Sequence, residues 1–230
     1  MQFVNNFQMA VNPQIVKHYA AGETKEMIKL STVNSQLAAF LLLFILVPLF
    51  VEIDFVLKIW LGEYPAYAPI FLRIILLQSV VQTMTRPVVM MIHAVGKMKL
   101  VNLTAGGALL MILPVSYILL KLGVSPVTVF VVNVIPWFLE TLFELLCLKK
   151  YIGLSPLNFY KSVYGKVFPI GALMFVLPYV TYFSMADGWL RFFTVCIVSV
   201  ISSSVLIYFL GLDKNMRKFV VNKISSILKR

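Results

Sequence analysis

The stretch STVNSQLAAFLLLFILVPLFV, residues 31–51, carries no charged side chain over 21 positions and stops against Glu52 and Asp54. A helix needs about 20 apolar residues to cross a hydrocarbon core of roughly 30 Å, so this run is long enough to span a bilayer. From Leu37 it is continuously apolar, and it does not alternate with period two, which excludes a barrel strand. Five more runs follow: 70–95, 100–120, 127–148, 167–183 and 190–210. The second is the most polar, with Arg73, Gln78, Gln82, Thr83, Thr85 and Arg86, and the fifth is the shortest. The expected fold is an all-α, polytopic transmembrane bundle of six spans.

Composition agrees. The chain is 60% hydrophobic and 13% charged, with a mean hydropathy of +0.92, against roughly 45–50% and 25% in soluble domains. Cys147 and Cys196 lie inside apolar runs, a placement for buried inert thiols and not for a disulfide framework or a zinc site. The amino terminus has no short apolar core followed by a small-residue cleavage site, so the first span is expected to serve as its own insertion signal.

Fifteen of the twenty Lys and Arg residues fall in alternate gaps between the runs: before residue 31, at 97–99, at 149–166 and beyond 213. Loops on the cytoplasmic side retain Lys and Arg, so both termini are expected there. The chain then divides into 1–30 (the end of a preceding helix and a loop), 31–148 (four spans), 149–166 (a cytoplasmic loop), 167–210 (two spans) and 211–230 (a basic tail). The net charge of +11 is in this reading topological, and the tail from Lys214 to Arg230 is expected to lie along an anionic leaflet as an amphipathic helix. Basic residues dispersed among membrane loops argue against nucleic-acid binding. Trp60, Tyr64 and Tyr67 form an expected aromatic belt.

Ionisable residues inside a bilayer are costly and usually face a cavity or a partner. Arg86 is nine residues from the inner end of its run and Glu140 is eight from the inner end of the fourth, which places both roughly 12 to 14 Å deep. Glu144 lies one turn further along the face of Glu140. Two readings stand: a buried ion pair that only fixes packing, or a hydrated cavity in which Arg86 attracts a phosphate-bearing substrate tuned by Glu140 and Glu144. Arg73, at the edge of the second run, is a fourth candidate for substrate contact. Glu52 and Asp54 are expected on a solvated rim, His18 and His93 at an interface, and Gly106-Gly107 at a close helix contact. Prolines 48, 87, 114, 136 and 178 are expected to interrupt five spans. No Gly-rich phosphate loop, HExxH or G-x-S-x-G is present, so neither an enzyme nor a cofactor is expected.

Three short stretches add a resemblance. Ala10-Val-Asn-Pro-Gln-Ile-Val-Lys-His-Tyr-Ala-Ala-Gly-Glu23, Ile59-Trp-Leu-Gly-Glu-Tyr-Pro-Ala-Tyr-Ala68 and Ala94-Val-Gly-Lys97, with Gly123-Val-Ser-Pro126 as a weaker fourth, resemble signatures of bacterial polysaccharide-biosynthesis flippases. These form the O-antigen and capsule branch of the multidrug/oligosaccharidyl-lipid/polysaccharide exporter superfamily. The resemblance implies a bacterial inner-membrane protein that moves an isoprenoid-pyrophosphate-linked oligosaccharide between leaflets by alternating access. Such flippases usually carry at least twice as many spans, in two pseudo-symmetric bundles. The chain would correspond to their carboxy-terminal part, either as a fragment or as the partner of a separate chain supplying the missing helices. A multidrug-type cation antiporter fragment and a transport-inactive remnant are the rivals.

Overall fold

Each long apolar run forms helix, and several helices begin before the apolar stretch they contain. The computed structural model describes residues 2–132, 134–213 and 216–218. In chain order the helices are α1 (Gln2–Ala20), α2 (Thr24–Val51), α3 (Ile53–Leu61), α4 (Ala68–Ala94), α5 (Met98–Lys121), α6 (Pro126–Val132), α7 (Ile135–Ile152), α8 (Pro156–Ser184) and α9 (Trp189–Leu206), the last running into a π-helical turn at Ile207–Gly211. Six segments are long and apolar enough to cross a membrane: Thr24–Val51, Ala68–Ala94, Val101–Lys121, Pro126–Ile152, Pro156–Ser184 and Trp189–Gly211. The chain is an all-α protein with six candidate membrane spans.

Two boundaries differ from expectation for local chemical reasons. Residues 2–30 are mostly helical, because the Ala-Gly-Glu turn ends one helix and starts the next at once. Gly22 adopts φ 77°; Glu23 N–H donates to the His18 carbonyl (2.9 Å) and Gly22 N–H to that of Tyr19 (3.0 Å), the paired bonds that close a helix on a left-handed residue. Gly96 repeats the arrangement at the end of α4, at φ 78°, with Lys97 N–H on the Ile92 carbonyl (3.2 Å). The fifth span, expected to be the shortest, is instead the longest helix at 29 residues. Most of the loop expected at 149–166 belongs to it, since the Ser155 hydroxyl caps the Asn158 N–H (3.4 Å) and Pro156 opens the first turn.

The prolines also behave unequally. Pro48, Pro87, Pro114 and Pro178 lie inside unbroken helices. Pro136 alone among the five sits in the first turn of a helix, α7, where its missing N–H costs no hydrogen bond within the helix.

Helix α2 is the central staff. It packs against α1, α4, α8 and α9, burying Ala38, Ala39, Phe40, Leu46 and Val47. Ser31, Asn34 and Ser35 of the same helix are buried too, and small side chains of this kind let membrane helices approach closely. The close contacts made by glycine are at Gly171, where a Cβ would lie 3.1 Å from Leu43 Cδ1, and at Gly211, 3.1 Å from Phe40 Cε2. Gly106 and Gly107, expected at such a contact, face open space. They sit on α5, a peripheral helix with Leu103, Leu110, Leu113 and Tyr117 exposed. In lipid that exposure is not a penalty, because hydrocarbon tails are as apolar as leucine.

Candidate functional site

Helix α4 carries Gln82, Thr85, Arg86 and Val89, and α7 carries Trp137, Glu140, Thr141 and Glu144. Each set is spaced i, i+3, i+4, i+7, so each forms a stripe along one helical face. The helices pack together and the stripes enclose a cavity of about 190 Å³ lined by all eight residues. Arg86, Glu140 and Glu144 are thus brought together as their depths in the sequence suggest.

They do not form the expected ion pair. Among the described residues no salt bridge joins Arg86 to either glutamate. Arg86 Nη1 instead donates to Asn5 Oδ1 at 2.7 Å, an acceptor on α1, the helix that the sequence reading treats as the end of a preceding element. Gln8 of the same helix ties α1 to α4 by donating to the Thr83 carbonyl (2.9 Å). A neutral amide therefore occupies the guanidinium. Glu144 is 1% exposed and its Oε1 is buried without a hydrogen-bond partner, as is Nε1 of Trp137. The two hydroxyls are satisfied locally: Thr85 donates to the Gln82 carbonyl (2.9 Å) and Thr141 to that of Trp137 (2.8 Å).

Glu140 also borders a second space. An apolar groove of about 470 Å³ runs between α5 and α7, lined by Leu103, Gly107, Met111, Ile135, Leu139 and Phe143 among others. The polar cavity and the apolar groove meet at this one carboxylate.

Arg73 lies elsewhere. It is 13 residues from Arg86 along α4, roughly 20 Å, and it is held by Asp54, whose Oδ2 accepts from Nη2 at 2.5 Å. Its Nε donates to the Phe50 carbonyl (3.3 Å), and its guanidinium sits 5.8 Å from the Phe50 ring centre. The structure does not bring Arg73 to the cavity of Arg86, Glu140 and Glu144.

Beside it is a buried ion pair. Glu52, expected on a solvated rim, is 0% exposed. Arg191 Nε and Nη2 grip its two oxygens at 3.0 Å each, and Arg191 also bonds Asp187 and stacks 4.1 Å from the Tyr182 ring centre. Two acids two residues apart therefore reach different helices: Asp54 holds α4, and Glu52 holds α9. The bend after Val51, where α2 gives way to α3, lets them diverge. Trp60, at the far end of α3, is 76% exposed.

Cys147 and Cys196 are free and half-buried. The basic tail expected from Lys214 to Arg230 lies outside the described residues except at 216–218.

Compared with known proteins, the chain matches no family model, no curated protein and no solved structure. What the structure establishes is a six-span helical membrane protein with a polar cavity between α4 and α7.

Proposed function

We propose that this chain is part of a membrane transporter for a phosphate-bearing amphiphile, in the manner of the carboxy-terminal part of a lipid-linked oligosaccharide flippase, with Arg86 as the headgroup contact. One observation carries the reading: Arg86 lines a polar cavity within the membrane-spanning part of α4, engaged by a neutral amide and not neutralised by a carboxylate. A guanidinium so placed keeps N–H groups for phosphate oxygens. The short motifs supply the substrate class, an isoprenoid-pyrophosphate-linked sugar. The basic-residue bias supports cytoplasmic termini and, with the motifs, a bacterial inner membrane. The second half of the transport cavity belongs to helices outside this chain, on the same polypeptide or on a partner.

A second reading has its own support. Two carboxylates share the cavity with one guanidinium, and Glu144 has an unpartnered oxygen. With both ionised, the cavity favours a cation, as in a multidrug-type antiporter.

Substitution separates these readings. In the intact transporter, Arg86→Lys keeps the charge but loses the planar fork, and normal membrane abundance with impaired polysaccharide export is expected. Full export with Arg86→Gln returns the residue to a packing role. Joint Glu140→Gln and Glu144→Gln leaves Arg86 as the cavity's formal charge, so export persists if the substrate is a phosphate and stops if it is a cation. A chain that supports no transport in either assay, with its partner helices supplied, is a transport-inactive remnant.

A further inference from the structure

A second groove opens against the middle of α2, where the chain leaving α9 crosses it. It has a volume of about 390 Å³ and is walled by Phe7 of α1, Leu37 and Phe44 of α2, and Tyr208 and Leu212 after α9. Leu37 to Phe44 is seven residues, roughly 10 Å of helix, about a third of a hydrocarbon core roughly 30 Å thick. The walls offer hydrocarbon contact over that length.

The end of this groove is built differently. The chain leaves α9 through the π-helical turn Ile207–Gly211, a rare geometry that recurs at functional sites. Leu212 N–H reaches the Ile207 carbonyl at 2.8 Å. Arg217 folds back on this turn, donating from Nε to the Leu212 carbonyl (2.9 Å) and from Nη2 to the Phe209 carbonyl (2.6 Å). Its guanidinium also stacks on Tyr208, 5.9 Å from the ring centre. Tyr208 and Leu212 are thus both groove wall and arginine anchor. The described residues take two of the five N–H groups of Arg217. Lys166 is fixed close by through Asp213 (3.0 Å), and Lys218 is exposed next to Arg217.

We propose that this groove is a binding site for an anionic phospholipid, one acyl chain lying between α1, α2 and the π-helical turn and the headgroup phosphate meeting Arg217. The charge complementarity separates the two grooves: the α5–α7 groove has a carboxylate in its lining, whereas two wall residues of this one, Tyr208 and Leu212, hold a guanidinium. The site is independent of what the chain transports and needs only that it sit in a bilayer.

The test uses the whole chain reconstituted in vesicles with Tyr208→Trp, which keeps an aromatic face for Arg217. Quenching is measured as the difference from the parent chain, with brominated phosphatidylglycerol or brominated phosphatidylcholine at equal mole fraction. Phosphatidylglycerol is expected to quench at several-fold lower mole fraction. Adding Arg217→Gln is expected to weaken that preference roughly fivefold, and Arg217→Lys to retain most of it. Equal quenching by both lipids overturns the proposal, because the groove is then ordinary lipid-facing surface. Absence of quenching by either also overturns it, because protein then covers the groove. Native mass spectrometry of the parent chain from mixed vesicles gives the same answer without the tryptophan: retained phosphatidylglycerol that is lost with Arg217→Gln supports the site, and equal retention of both lipids refutes it.

Discussion

Glu52 and Arg191 show what a single charge does in this molecule. Both are buried, and the guanidinium meets the carboxylate in two places, the geometry in which an ion pair offsets its desolvation. Removing one partner strands the other at a cost of roughly 3 to 5 kcal/mol, whereas removing both is often near neutral. Arg191→Met and Glu52→Gln are each expected to lower the thermal unfolding midpoint in detergent, and the joint Glu52→Met and Arg191→Met change to recover most of the loss. An unchanged midpoint in Arg191→Met would show the pair to be idle. Hydropathy placed both residues at span ends on the same side and missed their burial. It measures depth, while the pair depends on which way each helix faces across 139 residues of chain.

Among the helices, glycine placement decides which contacts are tight. A Cβ on Gly171 meets Leu43 at 3.1 Å, and on Gly107 it meets nothing. Gly171→Leu overfills the α2–α8 interface and is expected to cost about 1–3 kcal/mol, while Gly107→Ala is expected to be neutral or to stabilise α5 by up to about 1 kcal/mol. Denaturation of the two variants in one detergent measures both, and equal effects would remove the distinction. The paired glycines were the visible pattern, yet the contact belongs to an isolated one, because a glycine's use depends on the neighbour opposite it. The start of α8 was missed, because apolar run length does not register a cap: Ser155-Pro156 starts the helix well before its apolar run. The flippase-like motifs take on a local meaning here, since Gly22 and Gly96 both close helices in the left-handed conformation. Part of that resemblance is the grammar of ending one membrane helix and starting another.

For the molecule as a whole, six spans and an all-helical fold followed from run length and composition alone. The cavity was half legible: Arg86, Glu140 and Glu144 do share it, because equal depth on adjacent helices favours a meeting. Asn5 was not, because a polar residue on an amphipathic helix gives no sign of its partner. Orientation is a separate question, answered by experiment. Reporter fusions after Lys99 and Lys150 are expected to read cytoplasm, and those near Tyr64, Leu122 and Asp187 the outer side; inversion at two or more sites would reverse the topology.

The bidentate pair also sets a clock on biogenesis. Glu52 closes the first span and Arg191 opens the sixth, so the ribosome must add 139 residues between them. At about 5–20 residues per second this takes roughly 7 to 28 s. Throughout that interval the nascent chain holds an acid at the membrane edge without its guanidinium. A product truncated before Arg191 never loses that mark, and in pulse-chase it is expected to be cleared faster than one ending after Gly211, with Glu52→Gln narrowing the difference. The sixth of these spans certifies the first.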